Sequence, residues 1–145
     1  MTDVARLNSL LERVADATAP ERSLFAEVFF ACAGKQHPDI KAHFAMRMDE
    51  QAWTEAALIL TACALPGWRV QTNMGRGRGE VILLAPTADG SPGSVPSEPA
   101  YHADGVPLAM LVAVLRELSG RLHQTPRGRV PGGGVGEEWS SAIAG

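Results

Sequence analysis

Any chemistry in this chain must come from a few polar clusters. The densest is "NMGRGRGEV", residues 73–81, in which glycine and arginine alternate over residues 75–79. An arginine fork suits phosphate and carboxylate, and glycines let backbone amides approach an anion. Arg69 adds a third guanidinium to Arg76 and Arg78. Neither standard phosphate loop is present. A dinucleotide loop needs glycines that open a helix straight after a strand, and a P-loop needs Gly-Lys-Ser/Thr. Here the spacing is G-x-G-x-G and a β-like run follows. The residues that would bind an anionic ligand are Arg69, Arg76 and Arg78. His102 joins them because it precedes a helix start, where amide groups favour negative charge. A simpler account of the arginines is a solvated turn that keeps an exposed hairpin soluble, and it is preferred.

Other chemistry is thinner. His102 with Asp104, and His43 with Asp49, are the acid–base candidates, yet helix capping already explains both aspartates. No G-x-S-x-G nucleophile motif occurs. Cys32, His37, His43 and Cys63 lack the spacing of a zinc-ligand pair. No enzyme activity, catalytic residue, metal or cofactor is therefore expected. The composition is 46% hydrophobic and 20% charged, with a formal net charge of −3. That charge argues against nucleic-acid binding by broad phosphate neutralisation. No basic-then-apolar leader opens the chain, and no window reaches the ~18 apolar residues of a spanning helix. No membrane association is expected; the setting is cytoplasmic and reducing.

The elements that must position these residues follow from periodicity. The 145 residues suit one globular domain over residues 1–123, with a Gly/Pro-rich disordered tail at 124–145, where Trp139 and Ile143 stand as untidy hydrophobes. Residues 3–34 read as a helical pair. The first helix carries Val4, Leu7, Leu11 and Val14 on one stripe. The second starts near Ala19 from a Thr18–Glu21 capping box and stops at Gly34. It carries Leu24, Phe25, Val28 and Phe29, with Phe30 buried on a second side. Residues 43–122 read as a β-α-β-β-α unit. "HFAMRM" alternates as a strand, and Asp49 caps a helix over residues 50–65 that is apolar nearly all round and so buried on most sides. "WRVQTNM" and "EVILLAP" form a hairpin through a five-residue loop at 75–79. Residues 87–100 are a long surface loop that does not pack. Asp104 and Pro107 open a last helix bearing Leu108, Leu111, Val112, Leu115, Leu118 and Leu122. The order is α-α-β-α-β-β-α, an α+β or α/β chain with a short mixed sheet of about three strands. The strand at 43–48 and the one from Trp68 would be parallel if adjacent.

The stretches "HFAMRMDEQAWTEAALILTACALPGWRVQ", "VILLAP" and "HADGVPLAMLVAVLRELSG", with the leading "LERVADATAPERSLFAEVFFACAG", resemble the phage ABA sandwich family over about residues 8–122. The resemblance implies a small three-layer α/β/α sandwich of phage or prophage origin in a bacterial host. It implies no catalytic residue. The expected function is a non-enzymatic phage-type accessory protein that acts by binding a host protein or a small anionic ligand such as a nucleotide, counter-defence included. The alternatives are a structural or assembly protein of a phage particle, and a nucleic-acid binder through the arginine hairpin. A homodimer or higher homo-oligomer is expected, because "EVILLAP" and "HFAMRM" would leave weakly protected sheet edges.

Overall fold

The computed structural model describes residues 4–75, 77–89, 91 and 95–124, the last three by backbone only. Arg76 and residues 125–145, Trp139 and Ile143 among them, lie outside. The described residues form five helices and four strands. In chain order these are α1 (Val4–Asp16), α2 (Arg22–Ala33), α3 (Pro38–Asp49), α4 (Trp53–Ala64), β1 (Arg69–Gly75), β2 (Arg78–Ala85), β3 (Val95–Pro96), β4 (Ala100–His102) and α5 (Val106–Gln124). The α+β class read from the sequence holds. No described helix is long and apolar enough to cross a membrane.

The element at residues 43–48 is a helix, not a strand. Pro38 is the first residue of α3 rather than a break, and the His37 ring caps it, with Nδ1 accepting from the Asp39 amide at 3.1 Å. Ile40, Phe44 and Met48 recur every four residues and face inward, while Met46 is 52% exposed. Phe44 and Met48 belong to that stripe, and Met46 between them lies on the other face of the helix, so the alternation carried no strand. Asp49 does not cap α4. It ends α3, where an ion pair with Arg22 ties α3 to α2. The chain turns at Gln51, φ 59°, with Ala52 donating to the Arg47 carbonyl at 2.8 Å and Gln51 to Met48 at 2.9 Å. That is a Schellman ending with glutamine where glycine is usual. The Thr18–Glu21 box does not form either, since α2 starts at Arg22 with Glu21 at the cap position.

The sheet is antiparallel throughout. A parallel pair needed a strand before α4, and α3 occupies that place. β2 is central, with β1 on one side and β3 and β4 on the other. Residues 87–100 are therefore not wholly an unpacked loop. β3 and β4 are two halves of one line broken by a bulge: Leu84 pairs with Pro96, but Val81 pairs with Ala100. At the break the Ser97 amide donates to the Leu83 carbonyl at 2.8 Å, and its Oγ accepts from the Leu83 amide at 3.2 Å. Backbone pairing ordered a segment too poor in apolar side chains to order itself.

Gly79, Val81 and Leu83 on β2 point to the core, and α5 lies against them. Each large side chain fully buried there contributes about 1.5–3 kcal/mol. On its other sides α5 meets α1, α4 and α2. It is thus the helix buried nearly all round, with Leu108, Met110, Leu111, Val114 and Leu115 fully enclosed. That position was expected for residues 50–65. α4 instead lies at the periphery and leaves Leu58 41% exposed. Among the described residues the layers run sheet, α5, outer helices, so the sheet lies at one side of them and not in the middle of an α/β/α sandwich. Phe30 is 61% exposed and not buried on a second side, whereas Phe29 stacks on Phe44 at 4.4 Å.

Candidate functional site

Two turns account for the glycine-rich stretch. The hairpin loop is residues 76–77, shorter than the five residues expected, and Gly75 pairs with Arg78 across it. Gly77 takes φ 73°, a left-handed conformation that suits glycine in a tight turn. Gly79 sits where β2 runs against the start of α5. A Cβ there would lie 2.4 Å from both the Gly105 carbonyl carbon and the Val106 nitrogen. These glycines serve a turn and a close packing contact, and no cradle of amides around an anion is needed to explain them.

Among the described residues, no helix covers the face of the sheet turned away from α5. By strand alternation it carries Arg69, Gln71 and Asn73 from β1, Arg78, Glu80, Ile82 and Leu84 from β2, and Tyr101 from β4. At the hairpin end these residues form a hollow of about 210 Å³ lined by Asn73, Gly75, Arg78, Glu80 and Tyr101. The Arg78 guanidinium carbon lies 4.1 Å over the centre of the Tyr101 ring, a cation–π contact that fixes the charge in place. Asn73 reaches Glu80 at 3.5 Å, a long hydrogen bond at best.

Of the residues proposed from the sequence, Arg78 lies in this hollow. Arg69 shares the face but stands six residues along β1, roughly 20 Å away. Arg76 lies outside the described residues. His102 is on the other side of the sheet and 6% exposed. Its Nε2 donates to the Val14 carbonyl at 2.8 Å, and its Nδ1 accepts from the Asp104 amide at 3.0 Å. Nε2 thus ties β4 to α1, and Nδ1 holds the turn that leads into α5, so the ring has a structural role. The Asp104 carboxylate lies 3.8 Å from Nδ1. The sequence reading missed Tyr101, Asn73 and Glu80. Tyr101 was hidden because Pro96 and Pro99 masked the strand that carries it. Asn73 and Glu80 were visible as neighbours across a hairpin.

The edges of the sheet differ. The β3–β4 side carries Pro96, Pro99 and a bulge, and Arg116 from α5 donates to the Glu98 and Pro99 carbonyls at 2.6 and 3.2 Å. These are recognised protections of an edge. β1 has none of them. A two-residue turn makes Gly75 and Arg78 a hydrogen-bonded pair, so Gly75, Asn73, Gln71 and Arg69 address β2. The Leu83 groups, which face β3, confirm that phase on the far side of β2. Val70, Thr72 and Met74 therefore turn their amides and carbonyls outward, with no strand against them among the described residues. Apart from half-buried Val70, every residue of β1 is exposed, Met74 by 63%.

Both cysteines are free and half-buried. Burial pushes the Cys32 thiol up to about 12 and raises Cys63 as well, so neither is an activated nucleophile. Among the described residues, no three His, Cys, Asp or Glu side chains are grouped to hold a metal ion. Compared with family models, with curated proteins and with solved structures, the chain matches none.

Proposed function

We propose that this chain is a non-catalytic binding protein, that the free edge of β1 is its contact element, and that a second copy of the chain is its first partner. The unprotected edge of β1 carries this reading. A seven-residue strand with outward amides and no interior proline or charge is a template for strand addition. β1 is also complementary to itself. Antiparallel pairing about a two-fold axis through Thr72 sets Val70 against the partner's Met74 and Gln71 against the partner's Asn73. All seven residues pair, and the outward groups of Val70, Thr72 and Met74 supply about six backbone hydrogen bonds. The apolar pair lies on the helix side of the sheet and covers Met74. "EVILLAP", the edge expected from the sequence, is the central strand and is unavailable. We read the protein further as a phage-type accessory factor of the bacterial cytoplasm, a reading supported by the sequence resemblance and by the two free thiols.

Light scattering across the micromolar range tests this. The expected mass is twice the 15.4 kDa chain. Thr72→Pro removes an outward amide that the β1–β2 ladder does not use, so it is expected to give a folded monomer. Met74→Lys places a charge on the same edge and serves as the second variant. A parent chain that stays monomeric overturns the proposal.

A further inference from the structure

We infer that a dimer paired through β1 completes an anion site that each chain holds only in halves. The inference rests on the strand-pairing reading above and names the ligand class of that junction. In one chain Arg69 and Arg78 lie at opposite ends of the open face, roughly 20 Å apart. Pairing about Thr72 changes this, because it sets Gly75 opposite the partner's Arg69. Gly75 already pairs with Arg78 on its other side. The row across the sheet then reads Arg78, Gly75, the partner's Arg69. The two arginine Cα atoms stand about two strand spacings apart, on the order of 10 Å. Between them is a residue with no side chain, and nothing lies within 4 Å of where a Cβ would be. Two long side chains that flank a gap of that width can both close on one small anion.

Charge decides which ligand fits. The Tyr101 ring already holds Arg78 in place, so one fork is preorganised. Neither Arg69 nor Arg78 has an ion-pair partner among the described residues. The nearest carboxylate, Glu80, lies one row further along the strand beside Asn73. Two uncompensated guanidinium groups brought together oppose pairing. An oxyanion with several acceptor atoms reverses that, and paired arginine forks suit phosphate above other small anions. The ligand class is a phosphate dianion, free or as an exposed phosphomonoester, with two equivalent sites per dimer. Phosphate binds the dimer and not its halves, so it must also strengthen dimerisation.

Calorimetric titration of the full chain with inorganic phosphate, and light scattering with and without it, test the inference. The parent dimer is expected to bind phosphate and to persist to lower protein concentration when phosphate is present. Arg69→Ala and Arg78→Ala are each expected to remain folded and to weaken binding at least about tenfold. Mixing the two variants is the decisive arm. A mixed dimer keeps one intact site, built from Arg78 of one chain and Arg69 of the other. An equal mixture should therefore recover about a quarter of the parental sites by random pairing. Failure of the mixture to recover any site overturns the composite arrangement, as does phosphate binding by the Thr72→Pro monomer with parental affinity. A β1-paired dimer that ignores phosphate overturns the anion site and leaves the strand-pairing reading standing. A parent chain that stays monomeric overturns both.

Discussion

Replacing Gly79 by alanine tests whether the glycine-rich stretch is built for packing. The added Cβ would lie 2.4 Å from the Gly105 carbonyl carbon and the Val106 nitrogen, and 2.8 Å from the Gly105 oxygen. Carbon contacts are comfortable at about 3.5–4.0 Å, so the shortfall is about 1 Å. The opposing atoms are backbone, which no rotamer change can move aside. β2 and the start of α5 must separate, and Leu108 and Ala109, both fully buried, follow immediately. Overpacking a tight core costs about 1–3 kcal/mol, and a backbone clash belongs at the upper end, about 3 kcal/mol. For a domain of this size each kcal/mol moves the melting temperature by roughly 3–4 °C, so a fall of about 10 °C is expected. The neighbouring glycines are internal controls. Gly77→Ala is strained by its φ of 73° and should cost about 1 kcal/mol. Gly75→Ala has open space around it and should change little. Thermal melts by circular dichroism give the order. If Gly79→Ala melts within about 2 °C of the parent, the close approach of strand and helix is wrong. If Gly75→Ala is instead the most damaging, these glycines serve something other than packing.

His102→Ala removes one of two donors to the Val14 carbonyl, which still accepts from the Ala17 amide at 3.2 Å, and opens a cavity, so a loss of about 2 kcal/mol is expected, with His102→Gln less harmful; an unchanged denaturation midpoint would refute the tie between β4 and α1. Gln51→Gly relieves a left-handed glutamine at the end of α3 and should raise stability by about 0.5–1 kcal/mol, where a loss would contradict that ending. At mildly alkaline pH a thiol reagent should modify Cys63 before Cys32, because burial weighs more on Cys32, and mass spectrometry of the partly labelled chain reads the order. The Asp89 carboxyl is held down to about 2, first by the Thr87 hydroxyl and then by the Ser91 amide. Its folded value lies below the usual carboxylate value of about 3.9, so the contribution of this turn is complete above about pH 4 and is lost as pH falls through about 2. A carboxyl titration by NMR with a midpoint near 4 would show that the turn is not formed.

The α+β class, the C-terminal end of α1, the Gly34 stop, the hairpin and Pro107 in the first turn of α5 were legible because each rests on local chemistry, whereas α5 starts at Val106 and leaves Asp104 one residue short of the cap position. A stripe at spacings of three and four, a glycine after the last helical residue and alternation on either side of a Gly-bearing turn speak for themselves. Periods that share multiples do not. Phe44, Met46 and Met48 satisfy period two, while Ile40, Phe44 and Met48 satisfy period four, and contact with Phe29 decides for α3. Likewise α4 and α5 are both apolar, and which one lies between the sheet and the other helices is a matter of packing. β3 and β4 have no sequence signal, since their order comes from backbone bonds to β2. The candidate site divides in the same way. The arginines of the hairpin, and their suitability for an anion, were visible in the sequence. Tertiary structure decided that His102 is a buried tie, that Arg78 rests on Tyr101, and that Arg69 stands too far away in the same chain to help. Residue types set what a side chain can bind, but a site is a set of distances. In this protein those distances run across strands, where separation along the chain carries no information about proximity.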